Sequence, residues 1–301
     1  MARSRRGQDI SGFVLLDKPR GPTSNQALQR VRRLFDARKA GHTGTLDPLA
    51  TGMLPICFGA ATRTAALAIQ ASKLYETTGL LGVATDTGDA MGEVSQRAAI
   101  GGIQPADIAA ATARFVGEIE QVPPRYSAVR HEGRRMYELA RRGIEVEAAP
   151  RRVTIHEIRL RSVELPQFSL QVHCSKGTYI RTLVEDIAKS VGTVAHVTEL
   201  RRTGVDPFLG AEMVTMEELE RASSAQQRIE RFLLPVDSVL RHWPRIELDG
   251  AQMARIRQGQ RIQLDAPPGP GQYRIYGAHA EFVGIGDVSP AGELLPKRIF
   301  L

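Results

Sequence analysis

Apolar positions along this chain switch repeatedly between two periods. Phe13-Val14-Leu15-Leu16 is a continuous apolar run and predicts a buried strand, stopped by the turn signal Asp17-Lys18-Pro19-Arg20-Gly21. Thr23 and Gln26 form a capping box ahead of a helix whose apolar face is Leu28, Val31, Leu34 and Phe35, with Gly41 as its stop. Phe168, Leu170, Val172 and Cys174 alternate with polar residues, the period of a half-buried strand. Ile180, Leu183, Val184, Ile187 and Val191 then follow helical spacing, which Gly192 closes, and Thr215 with Glu218 opens a further short helix. Strands and helices are interspersed without a regular βαβ rhythm, so the pattern predicts an α+β fold.

Near residue 240 the texture changes. From Arg245 onward there is one short helical candidate, Ala251–Gln258, among short strands split by Gly and Pro. This predicts a first domain over 1–240 and a small β-rich second domain over 241–301. The most apolar long stretch, Ala50 to Ala71, is broken by Pro55 and carries Arg63, so it reads as core and not as a membrane span. The basic start is followed by no apolar core, so no secretory signal is expected, and a cytoplasmic location is.

Charge sharpens this picture. The 301 residues hold 40 Lys+Arg against 33 Asp+Glu, a net +7 that favours a polyanionic partner. The excess is uneven: +7 over 1–40, −4 over 41–120 and +5 over 125–161. Solvated helix faces would account for each run alone; together they suggest an acidic pocket between two phosphate-gripping surfaces. Two cysteines, Cys57 and Cys174, cannot build a disulfide framework.

No zinc-protease, nucleotide-cradling or serine-hydrolase motif occurs, and the seven histidines are scattered, so the chemistry has to come from side chains alone, with no metal and no cofactor expected. The densest candidate is Gly41-His42-Thr43-Gly44-Thr45-Leu46-Asp47-Pro48-Leu49-Ala50-Thr51-Gly52, whose glycines allow close backbone approach and whose one acid is Asp47. Asp47 also suits a turn before Pro48. Arg181, where a strand hands over to a helix, lies off the apolar face and can pair with Glu185 four residues on; paired with Asp47 instead, it would keep that carboxylate ionised. In Arg125–Gly143, Tyr126, Tyr137 and His131 interleave with six arginines, offering phosphate pairing and base stacking, or an exposed charged helix.

Gly41–Gly52 resembles the signature of the TruB family of tRNA pseudouridine synthases. The similarity continues in order through Asp17–Ser24, Lys73-Leu74-Tyr75, Thr85-Asp86-Thr87-Gly88-Asp89, Gln121–Ala128, Lys176–Arg181 and Leu200-Arg201-Arg202-Thr203. The resemblance implies a pseudouridine synthase fold with a mixed, largely antiparallel sheet flanked by helices, an RNA-binding insertion at about 125–152, and a PUA-like RNA-binding C-terminal domain. It implies isomerisation of uridine 55 in the tRNA T-loop, with Asp47 as nucleophile on the base or the sugar, Tyr75 stacking on the flipped base and accepting its proton, and Arg181 pairing with Asp47. Asp89 would help hold that network, His42 would help extrude the base, and Tyr179 and Leu200 would line the pocket. Arg130, Arg134, Arg135, Arg141 and Arg142 would bind RNA. The expected partner is the tRNA T-arm, bound by a monomer without an obligate protein partner. The alternatives are a tRNA-binding or folding protein that only captures the T-arm, and a guide-RNA-dependent relative, which the arginine-rich insertion disfavours.

Overall fold

The first strand runs two residues further than its apolar core, because alternate positions on it serve opposite faces of one sheet. The computed structural model describes residues 7–300 except 128, 132, 141, 145, 147, 226 and 227, and describes 67, 68, 130, 131, 135, 137 and 138 by backbone alone. In chain order the elements are β1 (Gly12–Lys18), α1 (Ser24–Leu34), β2 (Ala40–His42), β3 (Thr51–Phe58), α2 (Ala65–Gln70), β4 (Lys73–Leu81), β5 (Val83–Thr85), β6 (Val94–Arg97), α3 (Pro105–Ala113) and β7 (Gly117–Gln121). They continue with β8 (Arg130–His131), β9 (Arg134–Arg135), α4 (Met136–Ala140), β10 (Arg151–Glu164), β11 (Gln167–Cys174), α5 (Ile180–Ser190), β12 (Ala195–Val205), β13 (Val214–Thr215) and α6 (Met216–Ser224). The last are β14 (Arg245–Glu247), α7 (Gly250–Arg257), β15 (Ile262–Gln263), β16 (Gly271–Tyr276), β17 (Phe282–Val288) and β18 (Glu293–Ile299).

The large sheet has the order β13-β1-β3-β12-β4-β11-β10-β7, with β2 also on β3. Only β1/β13 and β3/β12 are parallel, so the sheet is mixed and largely antiparallel. A second sheet, β14-β16-β17-β18-β15, forms the C-terminal part, and the fold is α+β. Among the described residues no helix is long and apolar enough to cross a membrane.

Alternation along β1 divides the core. Val14 and Leu16 join α1, α5 and the inner residues of β3, β4 and β11; Phe13 and Leu15 join Met53, Val205 and Phe208 on the other face, against which Phe282 and Ile285 of β17 pack. The Arg63 guanidinium donates to the Ile299 carbonyl at 3.2 Å across the same boundary.

Two local readings are corrected. Asp17 and Lys18 are strand residues, paired with Met53 and Gly52 of β3, and the turn begins at Pro19. Gly41 does not stop α1, which ends at Leu34 with Phe35 as its cap, where the Phe35 ring meets Phe58 at 5.0 Å between centroids. Gly41 instead lies in β2 opposite Cys57, where an added Cβ would sit 3.3 Å from the Cys57 Sγ. The capping boxes at Thr23/Gln26 and Thr215/Glu218 are both formed. Pro55 is tolerated inside β3 because its carbonyl, accepting from the Thr43 N–H at 3.1 Å, faces the end of β2; the missing N–H faces the same way and leaves the β1 ladder intact.

Candidate active site

The segment between β2 and β3 carries Asp47 and is fixed from both sides. Ser24, in the first turn of α1, donates through Oγ to the Leu46 carbonyl at 2.9 Å and accepts from the Leu46 N–H at 2.7 Å. The Gly21 N–H donates to the Pro48 carbonyl at 2.8 Å. These contacts immobilise the backbone on either side of the carboxylate, which remains 34% exposed.

Arg181 reaches it from the first turn of α5. Gln121 sets that helix start, its amide bridging the Tyr179 N–H (3.0 Å) and carbonyl (3.2 Å). The Arg181 side chain is 3% exposed, and its Nε lies 3.0 Å from Asp47 Oδ2. Its other nitrogens donate to the Thr87 carbonyl and, at 2.9 Å, to the Tyr126 carbonyl. One guanidinium therefore joins the Asp47 loop, the β5–β6 turn and the root of the arginine-rich insertion. Glu185 does not take it.

Burial pushes the Asp47 carboxyl above the ordinary carboxylate range; Arg181 opposes this, Asp89 adds to it, and Lys18 opposes it. Asp89 is 5% exposed. Its carboxylate accepts from the Thr87 hydroxyl (2.8 Å) and the Met91 N–H (2.9 Å), so it reaches Arg181 only through the Thr87 residue it orders. Tyr75 stands on β4 between Val172 and Arg202, 9% exposed, and burial raises its phenol while Arg202 lowers it.

The other expected residues lie at varied distances from this centre. His42 closes β2 and is half-buried. Tyr179 caps α5 with the Arg151 guanidinium 5.5 Å from its ring centroid. Leu200 is 8% exposed on β12, opposite Thr77. With Leu49 and Arg20 it lines a cleft of about 500 Å³ whose remaining wall includes Glu76, Glu199 and Arg201; Asp47, Tyr75 and Arg181 are not part of that wall. In the insertion, β8 and β9 form a hairpin leading into α4, whose Met136 and Leu139 are buried, so it is not one exposed helix. Arg134 and Arg142 are exposed; Arg130 and Arg135 are described as strand positions only, and Arg141 lies outside the described residues.

Two buried cations beside the site escaped the sequence reading. Lys18 is fully buried, its Nζ donating to the Pro19 and Pro22 carbonyls at 2.9 Å each, and burial pulls it down to about 8 despite the Asp47 charge. Arg202, 1% exposed, donates to the Met53 carbonyl at 2.7 Å and the Gly44 carbonyl at 3.2 Å. The signal was period-two spacing, which puts Lys18 on the face of Val14 and Leu16, and Arg202 on that of Leu200.

Residues 32–180 match the family model described as TruB family pseudouridylate synthase (N terminal domain), 181–241 the tRNA pseudouridylate synthase B C-terminal domain, and 244–300 Pseudouridine synthase II TruB, C-terminal. Among similar sequences, the protein named tRNA pseudouridine synthase B from Chromohalobacter salexigens is 50% identical, with 99% of this chain and 97% of that protein covered. Its namesake from Ectopseudomonas mendocina is 49% identical, covering 96% and 95%. Among solved structures, a chain of a Cbf5-Nop10-Gar1 complex superposes with a TM-score of 0.71 at 24% identity, over 96% of this chain and 85% of that one, a likeness of fold.

Proposed function

This chain belongs to the TruB family of pseudouridine synthases, isomerases acting on tRNA uridine, and we propose that it converts uridine 55 of the T-loop to pseudouridine through a flipped-out base and Asp47 as nucleophile. The observation that carries the reading is the Arg181–Asp47 pair at 3.0 Å, made by a guanidinium that also fixes two flanking loops. Arg181 holds Oδ2, leaving Oδ1 to attack and form the covalent adduct. Oδ1 bonds to the sugar or the base as the C1′–N1 bond breaks, the base rotates, a C1′–C5 bond forms and the carboxylate is released unchanged; the proton lost from C5 is matched by one that N1 takes up from water. Tyr75 stacks on the base, and its phenolate takes the C5 proton and passes it to water. Asp89 keeps the Thr87 carbonyl aimed at Arg181. His42 assists extrusion, and Tyr179 and Leu200 border the base.

Extrusion costs roughly a few kcal/mol, which contacts to the rest of the T-arm offset. Exposed Arg134 and Arg142, with the PUA-like C-terminal sheet over 241–301, supply phosphate contacts. The chain acts as a cytoplasmic monomer, without a guide RNA. Purified protein alone should release tritium from 5-tritiated uridine in a minimal T-arm hairpin, and Asp47→Asn should stop release. Undiminished release by the variant would remove Asp47 as nucleophile.

A further inference from the structure

One buried charge beside the site has no part in the chemistry above. Arg202 stands on β12 directly opposite Tyr75 of β4, 1% exposed. Among the described residues no carboxylate lies within ion-pair distance of it; its Nε and Nη2 are taken by the Met53 and Gly44 carbonyls. Nη1 also lies beside Gly44, 3.6 Å from where a Cβ there would be. A guanidinium withdrawn from water and held by neutral carbonyls keeps its field for whatever else faces it. Cross-strand pairing puts the Tyr75 side chain on the same face of the sheet as this guanidinium, and the two groups interact electrostatically. Lys73 is a further buried cation, on the same face of β4 as Tyr75 and 6% exposed, its Nζ donating to the Ile69 carbonyl at 2.9 Å and to the Ala71 carbonyl.

Resting on the functional reading above, we infer that Arg202 is a positioning residue for the isomerisation: it ties the Gly44 end of the Asp47 loop to the strand facing Tyr75, and holds its charge against the hydroxyl that must become a phenolate. The two tasks need the planar fork. Nε and Nη2 diverge to carbonyls on two segments, which a lysine ammonium on a flexible stem cannot span in the same way. The electrostatic direction agrees, since burial raises the Tyr75 phenol and Arg202 is the first group opposing that rise. Without the guanidinium the phenolate becomes scarcer and the loop loses its link to β12.

Arg202→Lys should lower kcat by about 100-fold with KM and T-arm affinity within about twofold, the loss expected for misplaced reacting groups. In a Tyr75→Phe background the same substitution should cost only the part owed to the loop tie, several-fold less than in the parent. A packing role alone would give the same loss in both backgrounds and would overturn the inference, as would an Arg202→Lys enzyme as fast as its parent. A chain that keeps Arg202 provides an independent test. Its Arg202 Nε–H and Nη–H resonances should move on Tyr75→Phe, and unmoved resonances would refute the interaction. That spectrum reads Arg202 even if the parent forms no pseudouridine, an outcome that would sink the functional reading instead.

Discussion

Gly52→Ala should damage both stability and turnover, because among the described residues β3 and β12 pair along the backbone only where Thr51 and Gly52 lie beside Arg201 and Arg202. Gly52 has φ +96°, and a Cβ there would lie 2.3 Å from the Arg202 carbonyl oxygen and 3.0 Å from the Arg202 backbone C and N. The oxygen contact is roughly 1 Å short of the usual carbon–oxygen separation of about 3.3 Å. The opposing atoms are backbone and cannot swing aside, so the strands must part. Left-handed φ costs an alanine about 1–3 kcal/mol, and forced overpacking a further 1–3 kcal/mol. The loss is a large share of the 5–15 kcal/mol that typically holds a protein folded. Parting the strands also shifts the Asp47 loop from Arg181 and Tyr75, and a displacement of about 1 Å lowers turnover about 100-fold. Urea unfolding followed by circular dichroism and tritium release measure the two effects. Gly101→Ala is the control, since nothing lies within 4 Å of its Cβ. A Gly52→Ala protein with the parent's unfolding midpoint and rate would refute the argument that this crossing sets the loop.

Further outcomes follow from the charges. On the proposed mechanism Asp47 attacks only when ionised, and burial raises its carboxyl, so kcat/KM should fall with decreasing pH at values above the usual aspartate pKa of about 3.9; Arg181→Met removes the main opposing charge and should move that limb to higher pH. Lys18 is charged below about 8, where it supports the Asp47 carboxylate, so Lys18→Met should also move the acidic limb to higher pH, by less than Arg181→Met does, which pH-rate profiles will show. Replacing exposed Arg134 and Arg142 with Gln should flatten the slope of log Kd for T-arm RNA against log salt by about 1.5. An unchanged slope would place that hairpin away from phosphate.

Much of the local structure was legible because each element carries its own signal. Thr23 and Gln26 announce α1, and alternation from Phe168 to Cys174 announces β11, without reference to the rest of the chain. What stayed hidden depends on distant partners. Gly41 reads as a helix stop until Cys57 is placed beside it, and Pro55 reads as a break until its orientation toward Thr43 is known. At the site, Asp47 and Arg181 were both candidates, but Arg181 had an equally plausible local partner in Glu185; only the fold brings Asp47 to 3.0 Å. Lys18 and Arg202 passed as contributors to a basic total because a cation's burial depends on carbonyls contributed by other segments.

The two-faced first strand has a consequence for how this chain can be divided. Val14 and Leu16 look toward the helices beneath the Asp47 loop, while Phe13 and Leu15, their immediate neighbours, help seat Phe282 and Ile285. Cutting the chain near residue 240 would strip the cover from one side of a strand whose other side anchors Lys18. The C-terminal lobe is thus less a detachable tool than half of a shared hinge plate, and swapping it for a foreign module would require resculpting Phe13, Leu15 and Met53 in the same step.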